Sequence, residues 1–177
     1  QRDFGENYIQ EGVDKITALQ AIQPALVWHC IGPIQSNKTK LVAEHFDWAH
    51  TVDRLKIAQR LSDQRPAHLP PLNVCLQVNI DGGETKSGIA PADVLALAAD
   101  VAKLPRLVLR GLMTIPDSVE GFDAQVAVHA KARALFDEVK AALNLPQFDT
   151  LSMGMTGDLE AAVHAGSTMV RVGTAIF

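Results

Sequence analysis

The feature that most constrains this chain is the regular alternation of short apolar segments with amphipathic helical stripes. The apolar segments are rich in β-branched residues and are largely apolar throughout, which is typical of strands buried on both faces of a parallel sheet. If Asn7 and Gly173 mark the first and last strand ends, the period is about 28 residues, close to the roughly 31 residues of one unit in a TIM barrel. The pattern therefore predicts repeated βα units in an α/β fold.

Six complete strands and one partial strand are predicted. The partial strand runs into Phe4, and the complete strands are residues 26–31, 48–52, 74–80, 107–115, 151–155 and 169–173. Helical stripes fill the gaps at residues 94–101, behind Pro91, and at residues 128–139. A short helix is expected to begin at Asp158 and to end at Gly166.

Seven strands are one short of a closed (β/α)8 barrel. We therefore expect a single barrel domain over residues 1–177, with one further strand and helix upstream of Gln1. The alternative is a doubly wound open sheet, which is less favoured because no G-x-G-x-x-G turn follows any strand.

Composition narrows the range of partners. The net charge of −4 argues against a nucleic-acid binder, and 9 aromatic residues are too few for a base-stacking platform. No apolar run approaches the ~20 residues of a membrane span. Cys30 and Cys75 each lie in an apolar run, so we expect buried free thiols and a reducing cytoplasm. No His or Cys spacing indicates a metal site.

Small and hydroxyl-bearing residues follow the last two predicted strands. Thr156 and Gly157 come after one, and Gly173 and Thr174 after the other. In a βα barrel phosphate commonly binds after strands seven and eight, where backbone N–H groups and small side chains allow close approach. This favours a phosphate site, although ordinary turn chemistry explains any one of these residues.

Two polar residues and three methionines have alternative interpretations. Arg171 lies in an apolar strand with the parity of Gly173, so it faces either a ligand pocket or a structural carboxylate partner. Asn7 is either a pocket residue or a strand-end cap. By their surroundings in the sequence, the methionines are predicted to fill the core: Met113, Met153 and Met155.

Nine motifs occur in the order of one known family and cover nearly the whole chain. They are FGENY (4–8), WHCIG (28–32), QSNK (35–38), VDR (52–54), QVN (77–79), ETKSG (84–88), GLMTIP (111–116), LSMGM (151–155) and GSTMVRVG (166–173). With these motifs the chain closely resembles the YggS/PROSC family of pyridoxal phosphate (PLP) homeostasis proteins.

The resemblance implies a barrel like the N-terminal domain of alanine racemase. It also implies a protein that binds PLP but has no known reaction of its own. It implies a role in balancing vitamin B6 and amino-acid pools, with PLP-dependent apoenzymes as candidate recipients of the cofactor. We also expect a monomeric, cytoplasmic protein. The family's PLP contacts map onto six positions: Asn7 and Met155 beside the ring, Arg171 at the ring nitrogen, and Thr156, Gly173 and Thr174 at the phosphate. Thr156 departs from the family's usual serine but keeps the hydroxyl.

Covalent attachment of PLP requires a lysine amine. In the family this lysine precedes the FGEN motif, so we expect it upstream of Gln1, and we interpret Lys86 as a loop residue. An arginine at the ring nitrogen weakens the electron sink, which favours a carrier over an enzyme. The alternatives are an amino-acid racemase with the same cofactor and a phosphate-sugar barrel enzyme without PLP.

Overall fold

The computed structural model describes residues 1–177, in which six parallel strands lie side by side in chain order. The strands are β1 (Asp3–Glu6), β2 (Val27–Cys30), β3 (Trp48–Val52), β4 (Leu72–Val78), β5 (Leu107–Thr114) and β6 (Thr150–Ser152). The helices are α1 (Ile9–Leu19), α2 (Thr39–His45), α3 (Leu55–Gln64), α4 (Val94–Val101), α5 (Phe122–Leu143) and α6 (Leu159–His164). None of these helices is both long enough and apolar enough to cross a membrane.

The sheet is strongly curved. His50 on β3 and Ser152 on β6 are joined by a hydrogen bond of 2.9 Å between Nδ1 and Oγ. In a flat sheet these strands would be three spacings, or about 14 Å, apart. The contact therefore requires the sheet to curl into the wall of a barrel, as the βα repeat predicts.

The two faces of the sheet carry different chemistry. The face under the helices belongs to a core cluster of 31 buried residues, which includes Phe46, Leu61 and Phe136. The concave face carries a small apolar group of Trp48, Cys75 and Met113, together with buried polar side chains. The outer cluster therefore supplies most of the apolar burial, and the inner face is the one available for polar chemistry.

Most predicted elements are confirmed. The strand at residues 48–52 matches β3, and the other confirmed strands differ from β2, β4, β5 and β6 by a few residues at their ends. Asp158 is the N-cap of α6, and Gly166 follows its C-terminus with a φ of 101°. Cys30 and Cys75 are free and buried, as expected.

The predicted strand at residues 169–173 is wrong. Only one isolated bridge, between Ser152 and Met169, remains of it, and β6 itself ends at Ser152. Gly154 has a φ of 98°, which turns the chain away from extended pairing directly after β6. The two segments still run together, because the N–H of Arg171 donates to the carbonyl of Gly154 at 2.9 Å.

Gly32 provides a test of the close approach between the ends of β1 and β2. A Cβ added at Gly32 would lie 1.8 Å from the carbonyl oxygen of Asn7, whereas one at Gly157 would meet no atom within 4 Å. We predict that Gly32→Ala lowers the free energy of unfolding by at least about 1–3 kcal/mol, because backbone must move. Urea denaturation with Gly157→Ala as the control measures this, and equal stability of the two variants would contradict the packing.

Candidate functional site

A polar pocket opens at the C-terminal ends of β5 and β6. Its volume is about 160 Å³, and its lining includes Thr114, Pro116, His129, Met155, Asp158 and Arg171. The carboxyl ends of parallel strands are where βα barrels place their ligands. The position and the polar lining therefore mark this pocket as the candidate site.

Arg171 extends its guanidinium from this pocket toward the sheet interior. Its Nη1 donates to the Ser152 hydroxyl at 2.6 Å, and its Nη2 donates to the Thr114 carbonyl at 2.9 Å. Burial lowers the pKa of Arg171 to about 10, so the side chain remains charged at neutral pH. Its acceptors are neutral and it forms no ion pair, so a structural carboxylate does not account for it.

The two predicted phosphate loops are exposed and rich in free donors. Four backbone N–H groups in them donate to no protein acceptor, namely those of Thr156, Gly157, Gly173 and Thr174. The two threonine hydroxyls also make no hydrogen bond within the protein, and a Cβ at Gly173 would meet no atom within 4 Å. Such loops offer an anion several donors and room to approach the backbone.

Met155 corrects one sequence prediction. Met113 and Met153 are fully buried, as expected of core residues, but Met155 is 46% exposed and lines the pocket. Its N–H donates to the Asp158 carboxylate at 2.7 Å, which holds the loop before α6. The core interpretation of Met155 is therefore wrong, because the turn at Gly154 redirects the chain out of the sheet.

Asn7 lies outside this pocket. It is exposed beyond the end of β1 and lines a second depression together with Tyr8, Gln35 and Lys38. Of the six predicted cofactor contacts, the structure brings Met155 and Arg171 into one pocket and places Thr156, Gly173 and Thr174 in the neighbouring loops. Asn7 shares only the C-terminal edge of the sheet with them.

Lys86 is held in the loop after β4. Its Nζ lies 2.7 Å from the Asp81 carboxylate and 2.8 Å from that of Asp117. Burial alone would lower the pKa of Lys86, but the hydrogen bonds to Asp117 and Asp81 raise it above its ordinary value. A charged amine is a poor nucleophile, so this geometry agrees with the interpretation of Lys86 as a loop residue.

Sequence reasoning missed a row of polar side chains across the concave face. His29 and His50 lie 2.9 Å apart between Nδ1 and Nε2, His29 Nε2 lies 3.0 Å from an Asp3 carboxylate oxygen, and His50 reaches Ser152. Both histidines are almost fully buried. The only sequence signal was two histidines inside predicted apolar strands, and it could not show that their side chains meet.

The whole chain matches one family model and several named proteins. The family model for the alanine racemase N-terminal domain matches residues 1–177. Proteins named pyridoxal phosphate homeostasis protein from Vibrio cholerae and Escherichia coli K12 are each 58% identical, and the alignments cover all of this chain and 75% of each relative. Each is a full-chain match, so the likeness is not confined to one motif.

Solved structures agree with these matches. PipY of Synechococcus elongatus with PLP bound has a TM-score of 0.90 and 37% identity, with 100% of this chain and 82% of PipY covered. An alanine racemase from Clostridium difficile has a TM-score of 0.77 at 14% identity, covering 99% of this chain and 44% of the racemase. The second likeness shows the fold alone.

The buried histidines predict an acid-sensitive fold. Burial lowers the pKa of His29 below 6.5, although Asp3 partly opposes this, and burial together with the charges of His29 and Arg171 holds the pKa of His50 well below 6.5. Below pH 6.5 the unfolded chain therefore binds more protons than the folded protein. The free energy of unfolding should fall by up to about 1.4 kcal/mol per pH unit for each histidine.

Urea denaturation between pH 7.5 and 5.5 measures this slope. His50→Gln should flatten it, whereas His68→Gln, which changes an exposed loop histidine, should leave it unchanged. An unaltered slope in His50→Gln would show that the acid sensitivity has another source.

Proposed function

This chain belongs to the pyridoxal phosphate homeostasis proteins, within the alanine racemase N-terminal domain family, and from that premise we propose that it binds PLP as a carrier and does not catalyse a reaction. The family-model match and the relatives confirm the resemblance expected from the sequence, and the solved structures confirm the barrel-type fold. The printed name of the relatives and the PLP bound to PipY support the cofactor. The vitamin B6 role follows from the same relationship.

The observation that carries the proposal is the state of Arg171. Two of its five N–H groups are bound by Ser152 and Thr114, so the remaining donors, including Nε–H, have no protein acceptor. A partly buried guanidinium with free donors fits an acceptor such as a pyridine nitrogen. The residues present therefore fit PLP at this position.

We assign the phosphate to the loops after β6 and after Arg171. Thr156 and Thr174 would donate hydroxyls, and the open backbone at Gly173 would allow the phosphate to approach its N–H. Met155 would lie against one side of the ring, since it lines the pocket with Arg171. Asn7, which lies beyond the end of β1 at the same edge of the sheet, would contact the ring from outside the Arg171 pocket.

The charge on Arg171 favours holding PLP over using it. PLP accelerates amino-acid reactions by withdrawing electrons from the α-carbon, and it does so best with a protonated ring. A fixed cation at the ring nitrogen disfavours that proton and so weakens the electron sink. The competing racemase function would also require a proton donor on the opposite ring face.

We also propose where the protein works and with which partners. PLP-dependent apoenzymes are the candidate recipients of the cofactor, and the protein would work as a monomer. A cytoplasmic location fits the two buried free thiols. The exposed phosphate loops support this proposal, because a cofactor held by exposed donors can exchange with solvent and with a recipient.

Replacing Arg171 tests the site. In the full-length protein, Arg171→Met and Arg171→Glu should weaken PLP binding by about 1.5–3 kcal/mol, because each removes hydrogen bonds from a charged donor. Absorbance titration measures the affinity, and thermal melting checks the fold. Arg133→Met is the control, since Arg133 pairs with Asp137 on α5. Parent-like affinity in both Arg171 variants would contradict the assignment.

Exchange of the α-proton of alanine in deuterated buffer separates the carrier from a racemase. The PLP-loaded parent should exchange this proton no faster than free PLP, and Arg171→Glu should exchange it faster per bound cofactor, because a protonated ring strengthens the electron sink. NMR of the alanine signal measures the rate. Enzymatic exchange by the parent would establish the racemase function instead.

A further inference from the structure

A continuous chain of hydrogen bonds crosses the barrel interior beneath the candidate site. Asp3 on β1 contacts His29 on β2 at 3.0 Å, His29 contacts His50 on β3 at 2.9 Å, and His50 contacts Ser152 on β6 at 2.9 Å. Arg171 completes the chain at 2.6 Å from the Ser152 hydroxyl. We call these five residues the Asp3–Arg171 chain.

The two ends of the chain face different environments. The Asp3 side chain is 59% exposed at the first residue of β1, at the N-terminal edge of the sheet. His29, His50 and Ser152 are all at most 3% exposed. Arg171 lies at the opposite edge, in the pocket. The chain therefore connects a solvent-facing carboxylate with the cation that we assign to the ring nitrogen.

The donors in this chain can point in only one direction when Asp3 is ionised. An ionised Asp3 can only accept, so a neutral His29 donates from Nε2 and accepts at Nδ1, which leaves Nδ1 of His50 as the acceptor for the Ser152 hydroxyl. Ser152 also accepts from Arg171, which can only donate. His50 then carries its proton on Nε2 and donates to Nδ1 of His29. His29 likewise donates from Nε2 to the Asp3 carboxylate, and every bond is satisfied with both rings neutral.

We propose that the Asp3–Arg171 chain is a positioning relay that orients the Arg171 guanidinium and transmits the charge state of the Asp3 end to the ligand bound at Arg171. His29, His50 and Ser152 act as positioning residues because they touch the ligand only through Arg171. This inference rests on the proposed function for its ligand. The hydrogen-bond direction within the relay is independent of PLP.

Adding a proton at His29 would reverse the relay. Both nitrogens of His29 would then donate, so His50 would accept at Nε2 and donate from Nδ1 to Ser152. The Ser152 hydroxyl would accept hydrogen bonds from His50 and Arg171 at once, and its own O–H would have to donate to a new acceptor. The second positive charge would also repel Arg171, so an acidic pH should weaken the hold of Arg171 on its ligand.

Other ionisable groups act on the two ends. Asp47, which accepts the N–H of Trp28, lies near His29, and Cys75 and Asp158 lie near Arg171. Burial raises the pKa of Cys75 to about 12, so it stays neutral through the range of the relay. None of these three is a hydrogen-bonded member of the relay, so substitutions at Asp3 and His50 address it selectively.

The first experiment reads the direction of the bonds in the PLP-free, full-length protein. Nitrogen-15 NMR of labelled histidine at pH 7.5 should show both His29 and His50 as Nε2–H tautomers. His29→Gln and His50→Gln identify the two signals, and His68→Gln serves as the control. An Nδ1–H tautomer at either residue would overturn the relay.

The second experiment reads the coupling with PLP itself. The pH midpoint of the absorbance of bound PLP should move to lower pH in Asp3→Asn, because removing a negative charge disfavours protonation along the relay. His50→Phe should lower PLP affinity roughly 5-fold or more, and His50→Gln should restore part of it, since an amide can both accept and donate.

The outcomes separate the two proposals. If Asp3→Asn and His50→Phe both bind PLP and keep the parent's pH midpoint of absorbance, the relay is wrong. The five residues of the Asp3–Arg171 chain then only fill the interior of the barrel. If the parent itself fails to bind PLP, the proposed function is wrong, and the NMR tautomers still decide the relay. Asp3 is exposed, so Asp3→Asn keeps the test open should His50→Phe fail to fold.

Discussion

Arg171 carries a charge into a partly buried position, and the interior of the sheet is arranged around the acceptors that this charge needs. A guanidinium cannot shed its proton to avoid the cost of burial. Here it is bound by a carbonyl at the end of β5 and a hydroxyl at the end of β6. Ser152 is also hydrogen-bonded to His50, so the polar contacts continue from Arg171 to His50 and farther across the sheet.

This requirement explains why the two faces of the sheet differ. The outer face is packed against helices by a large apolar cluster, which drives folding without directional bonds. On the inner face, buried imidazoles and a hydroxyl would cost free energy if any bond were missing. Trp48 stacks on His29 at 5.2 Å between ring centroids, so apolar packing also limits how the imidazole can turn.

The division also bears on what a barrel of this kind does. The free donors are concentrated in exposed loops at one edge of the sheet, whereas the rigid polar contacts lie beneath them. With the cation held by fixed acceptors and the phosphate in the solvent-facing loops, as we propose, the site would suit reversible retention of a phosphorylated ring better than stabilisation of a reacting carbon. The Lys86 ion pairs with Asp81 and Asp117 join the loops after β4 and β5 and brace the same edge.

Local pattern was enough to predict most of the fold. The strands from β2 to β5 were recognisable because each is a short, buried, apolar run, and burial on both faces leaves its mark on neighbouring residues in the sequence. The helix ends at Asp158 and Gly166 were predictable for the same reason, since capping depends on residues within one turn. The hydroxyl and glycine residues of the loops could be singled out by their position after strands.

The sequence by itself determined the order of the βα units, the polar residues that end the strands and the presence of a single arginine in the apolar segment that follows α6. The tertiary structure decided that residues 169–173 form no full strand, that Met155 turns outward and that Asn7 lies apart from the pocket of Arg171. It alone joined Asp3, His29, His50 and Ser152. Their separation in sequence hides a contact that exists only because the sheet curls, which brings β3 and β6 within one hydrogen bond of each other.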